Sequence, residues 1–172
     1  MKIQSKYILA LICATLALPA FAGTEAGDDS ALYYRNNPEK YDGKTVDIDV
    51  AFVTRINRRN SVEGLVFFVA HTVDDENNTR GGAIIVAVLD DDIEKFMRKY
   101  GTSIERKSRG DIDTERLRGT FHQLKGGRVY IDESGEAHEL ILAHLEEKAD
   151  FTLPDAEEAL GPGLGNGPRR RG

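Results

Sequence analysis

Residues 81–101, "GGAIIVAVLDDDIEKFMRKYG", pass from two glycines through an apolar run into an acidic turn and an amphipathic segment that ends on glycine. The run is continuous and rich in β-branched residues, as suits a central strand. Ile93, Phe96, Met97 and Tyr100 recur at three- and four-residue spacing and form one apolar stripe of a helix. Gly101 is expected to end that helix as a left-handed cap. A strand leading into a helix beside a Gly-Gly pair raises the idea of a phosphate cradle. The order of the parts excludes it. Such a cradle needs its glycines after the strand, where backbone N–H groups at the helix start meet the anion. Here Gly81 and Gly82 precede the strand, and Asp90, Asp91 and Asp92 stand at the helix start. Three carboxylates complement the helix dipole themselves and repel phosphate. The stretch is a structural join.

Upstream, "KTVDIDVAFVTRI" alternates, with Val46, Ile48, Val50 and Phe52 on one face and Asp47 and Asp49 on the other. "LVFFVAHTV" is a second strand, apolar on both faces, in which Phe67 and Phe68 point to opposite sides of the sheet. "DDENNTRGG" is a polar hairpin tip leading into the third strand. Before the first strand, Leu32, Tyr33 and Tyr34 give a short helix its apolar side, with Asp28, Asp29 or Ser30 as its cap and Pro38 beyond its end.

Downstream, "TSIERKSRGDIDTE" is a polar connection to a fourth strand, "RLRGTFHQL", with Leu117, Gly119 and Phe121 on one face. "KGG" turns into a short fifth strand, "RVYID". The segment after it, "HELILAHLEE", fits two periods. Period two aligns Ile141, Ala143 and Leu145; a helix groups Leu140, Ile141, His144 and Leu145. The hairpin-like context of "RVYIDESGEAHELIL" favours a strand.

Three strands, a helix and two further strands over residues 44–147 resemble the OB-fold, the five-stranded Greek-key barrel. The resemblance rests on element order and length, and it implies a mainly β fold with a helix between strands three and four. It also implies a ligand cleft across strands two and three. The loops flanking that cleft would be "RINRRNSVEG" and "QLKGGRVYID".

The two ends read differently from this domain. Residues 1–22 combine Lys2 and Lys6, the apolar core "YILALICATLAL" and the small-residue ending "AFA", the pattern of a secretory signal peptide cleaved after Ala22. This predicts a periplasmic or secreted bacterial protein without a membrane span after cleavage. The single cysteine, Cys13, falls inside the leader, so the remainder has no disulfide, thiol nucleophile or thiolate metal site. Lys2 and Lys6 are the leader's only charges, so 21 of the 23 basic residues face 29 acidic ones in the remainder, a net −8. That balance argues against a binder of bulk nucleic acid, which needs a basic footprint. Residues 23–43 are a helical lead-in, 44–153 the barrel domain, and 154–172 a Gly/Pro-rich segment expected to be disordered. The cluster Arg169, Arg170 and Arg171 ends it.

No reaction is legible. The aspartates at 90–92 lack the alternate spacing and glycine of a calcium loop, and the acidic turn Asp74 to Asn78 is only a weak calcium candidate. His138 and His144 lack the spacing of the helical zinc motif, and on a strand they would stand about 20 Å apart. His71, His122, His138 and His144 are read as scattered surface residues. Ser61, Ser103, Ser108 and Ser134 lie in polar loops, and no Gly-x-Ser-x-Gly elbow occurs. The chain therefore reads as a non-enzymatic module that needs no cofactor.

The suggestive constellation is basic. Arg55, Arg58 and Arg59 belong to the first cleft loop, Lys125 and Arg128 to the last, and Arg116 and Arg118 share the outward face of strand four. With Phe68 or its neighbour turned outward, they would form a groove for an anionic ligand or envelope partner. The alternative is a structural or assembly role in the envelope, through a sheet edge or the C-terminal tail.

Overall fold

The computed structural model describes residues 30–56, 61–74, 79–101, 114–148 and 150–160. Residues 1–29, which include the expected leader, Arg58, Arg59, most of the connection after Gly101, and residues 161–172 lie outside the described residues.

Five strands, β1 (Thr45–Arg55), β2 (Leu65–Asp74), β3 (Thr79–Leu89), β4 (Glu115–Gln123) and β5 (Val129–Asp132), close into a barrel in the order β1-β2-β3-β5-β4. The β3–β5 pair is parallel and the others are antiparallel. Helix α3 (Ile93–Tyr100) lies between β3 and β4, and the short helices α1 (Ala31–Asn36) and α2 (Pro38–Tyr41) precede β1. The fold is thus a mainly β, OB-like Greek-key barrel, as the order of elements predicts. Each strand has two neighbours, though the pairing is partial: β3 meets β5 only over Ile85–Ala87.

Strand alternation fills the interior. Val46, Ile48 and Val50 of β1 meet Phe68 of β2, Val86 of β3, Leu117 and Phe121 of β4 and Ile131 of β5. α1 adds Ala31 and Tyr34, and α3 adds Phe96 and Tyr100. The expected alternation of β1 fails at Phe52. A register shift between Val50 and Phe52 inserts one residue, so Val53 turns inward and Phe52 stacks on His71 with ring centroids 3.9 Å apart.

The Gly-Gly pair has a packing role. A Cβ on Gly81 would lie 2.7 Å from both Ser30 Cβ and Thr72 Oγ1, and Gly82 takes φ +85° beside Leu32. Only glycine lets β3 approach α1 this closely. Ser30 is the N-cap of α1 and accepts from Tyr33 N, while Ala31 N donates to Thr72 Oγ1 at 2.9 Å. Gly101 corrects an expectation. Its φ is −89°, not left-handed, and a Cβ there would lie 2.6 Å from the Met97 carbonyl oxygen. It is glycine for space.

Residues 137–147 form helix α4 (Ala137–Glu147), not a strand. β5 is already flanked by β3 and β4, so a sixth strand has no place to pair. Outside the barrel, Phe67, Val69, Ile85, Ala87 and Tyr130 still need cover. α4 supplies Ala137 and Ile141, one turn apart on one face, and the segment after it supplies Phe151, Leu153 and Ala156. The expected disordered tail therefore begins too early at 154: Ala156 is buried and residues Glu158–Leu160 form a 3-10 turn.

Candidate functional site

Among the described residues, the candidate basic positions stand on several elements, β1, β4 and the β4–β5 turn. Arg55 is exposed at the end of β1, and Lys125 is exposed in the β4–β5 turn. Arg116 and Arg118 are exposed on β4, where their β1 register partners are Asp49 and Asp47, and Arg116 Nε lies 4.0 Å from Asp47 Oδ1. Arg128 holds Asp155 at 2.5 Å, with Glu158 at 4.0 Å. Phe68 is a correction. It is fully buried in the barrel interior against Phe96, so it offers no surface for a ligand. Phe67 is the outward neighbour, yet it too is buried, with Phe151 in the layer above it. The outer face of β2 and β3, where the OB resemblance puts the ligand, is covered by α4 and the segment that follows.

A cavity of about 670 Å³ opens between residues 61–64 of the β1–β2 connection and α4. Ile56 and Ser61, which flank the segment holding Arg58 and Arg59, both line it. Its rim is tied by the backbone: Ile56 N donates to Phe67 O at 2.9 Å, Leu65 N to Val62 O at 3.1 Å, and Asp90 N to Gly64 O at 3.0 Å. Leu65, Phe67 and Leu140 give it apolar wall. Arg55 and Lys148 face it together with Glu63, Asp90 and Glu147, so its charge is mixed. His144 also lines it and packs edge-on against Phe151, at 4.8 Å between ring centroids.

At the other end of α4 the fold assembles a cluster that sequence reading missed. His122 of β4 and His138 of α4 stack with centroids 3.8 Å apart and planes 8° from parallel. Tyr130 Oη and His138 Nδ1 are 2.5 Å apart. Burial is the main cause that pushes the Tyr130 phenol well above its ordinary value, with Asp132 and Asp42 adding to it. The phenol therefore stays protonated, and the direction of this bond follows the His138 tautomer. Burial also lowers the His122 pKa, and His138 lowers it further. Beneath them, the buried Asp132 carboxylate accepts from Ser134 N, Ser134 Oγ, Gly135 N and His138 N. The Ser134 hydroxyl is thereby committed to a carboxylate and not to a histidine base. No group of three or more metal-binding side chains occurs among the described residues. The cluster anchors the start of α4. Its members all fall within residues 122–138, and the helical form of 137–147 sets His138 against His122.

No protein-family model matches this chain, and no curated protein matches it.

Proposed function

We propose that the chain is an exported, non-enzymatic binding module of the OB kind whose ligand enters the cavity between the β1–β2 connection and α4. The supporting observation is the joint presence there of Arg55 and Lys148 with the apolar wall of Phe67 and Leu140. A ligand matching it carries one anionic group for a cation and an apolar portion for the wall. The carboxylates of Glu63, Asp90 and Glu147 beside the cations disfavour a polyanion. Export rests on the leader pattern of residues 1–22, and it predicts a mature protein that starts at Gly23.

The test is an array of acidic peptides and anionic glycans probed with the purified full chain at low and high salt. Binding that weakens with salt and drops about tenfold in Arg55→Ala plus Lys148→Ala supports the reading. Binding indifferent to both sinks it.

A further inference from the structure

The segment after α4 has the character of a bound ligand. Leu153 and Ala156 sink into the apolar layer on the outer face of the barrel, and Phe151 packs beside them. Its acidic stretch then meets two arginines. Asp155 reaches Arg128 at 2.5 Å and lies 3.9 Å from Arg35; Glu157 reaches Arg35 at 3.0 Å. Arg35 Nη1 also donates to the Ala83 carbonyl of β3 at 3.0 Å, so the barrel itself orients this guanidinium.

The segment's backbone, by contrast, is not woven into the sheet. Its backbone bonds close on its own neighbourhood, Phe151 N to Lys148 O and Ala159 N to Asp155 O, and none reaches a strand among the described residues. A gap of about 130 Å³ remains beside it, lined by Arg35, Ile84, Arg128 and Ala156. Among the described residues, its ties to the barrel are made by side chains. A segment so held opens locally at much lower cost than the barrel.

We propose that the outer face of β2 and β3, with the Arg35–Arg128 clamp, is a docking site for an extended acidic peptide segment, and that residues 151–158, "FTLPDAEE", occupy it as an internal competitor. The partner presents spaced apolar side chains followed by a carboxylate, the order found in this strap. Charge complementarity selects the partner: two guanidiniums fixed at the barrel surface favour a carboxylate and repel a basic segment. This site adjoins the cavity at the β1–β2 connection and shares Phe67 with it, but its Arg35–Arg128 clamp lies outside that cavity's lining, so the Arg128→Ala arm tests it separately.

A tethered strap competes at an effective concentration of about millimolar, so a free peptide binds weakly until the strap is loosened. Truncating its charged contact loosens it by about tenfold or more. The experiment uses a fluorescent peptide of residues 150–160, titrated against the full-length chain and its Asp155→Ala variant. The peptide is expected to bind Asp155→Ala about tenfold more tightly than wild type, and adding Arg128→Ala is expected to abolish the gain. Dimers of Asp155→Ala that Arg128→Ala prevents would support the same docking, with a second copy donating the segment. Equal peptide binding by wild type and Asp155→Ala, or a gain that survives Arg128→Ala, overturns the proposal. Should Asp155→Ala fold poorly, amide exchange on wild type decides. Excess peptide must accelerate exchange in residues 150–160, and unchanged exchange overturns the proposal.

Discussion

His138 of α4 lies flat against His122 of β4, 3.8 Å between ring centroids, and its Nδ1 shares a hydrogen bond with the Tyr130 hydroxyl at 2.5 Å. Two imidazoles in that arrangement cannot both be charged without repulsion across the joint between helix and barrel. Asp132 and Asp42 oppose the effect on His122, but burial and His138 prevail and its pKa is lowered.

The consequence for pH follows by linkage. Between the lowered folded value and the ordinary 6.5, the unfolded chain binds more protons at His122 than the folded one. Its contribution to stability is therefore present above 6.5 and is lost as pH falls through the lowered pKa. Melting temperature is expected to drop between about pH 7.5 and about pH 5.5, and His122→Phe is expected to flatten that drop. Glu133, whose pKa burial raises, acts in the opposite sense near the carboxylate range. Thermal melts across this range check the sign.

Asp132 tests what fixes the start of α4. Its carboxylate is 1% exposed and accepts from three backbone N–H groups at 3.0, 2.8 and 3.0 Å. Asp132→Ala strands those donors and is expected to cost about 3 kcal/mol in denaturant unfolding. Asp132→Asn, which keeps an acceptor oxygen, is expected to cost less.

The adjacent phenylalanines report on two different layers. Phe68→Ala opens a cavity in the barrel interior and is expected to cost about 3–5 kcal/mol. Phe67→Ala removes support from beneath α4 and the strap. Amide exchange is expected to accelerate in α4 and residues 151–156 before it does in the β1–β4 ladder.

This pair also marks how far sequence reading reaches. Neighbouring strand residues must face opposite ways, so one phenylalanine inside and one outside was legible from position alone. Which was which depends on register, and register depends on partners far along the chain. The β1 alternation was legible up to Val50 and then misled, because the inserted residue leaves no mark in an apolar run. For residues 138–146 both periods fit the apolar positions. The deciding fact was nonlocal: β5 already sits between β3 and β4, leaving an apolar outer face for a helix to cover. The basic residues were legible as cations but not as partners. Arg128 meets Asp155 across 27 residues, in a segment whose composition reads as disordered.

The central claim is that a ligand enters beside α4, in contact with Leu140 and within reach of Arg55. A photo-crosslinking benzoylphenylalanine at position 140 of the full chain, irradiated in the native cells, tests it most directly. The account predicts a discrete adduct, identifiable by mass spectrometry and strongly diminished by Arg55→Ala. An adduct of equal yield in Arg55→Ala, or none at position 140 while a probe at exposed Leu32 gives one, would contradict it.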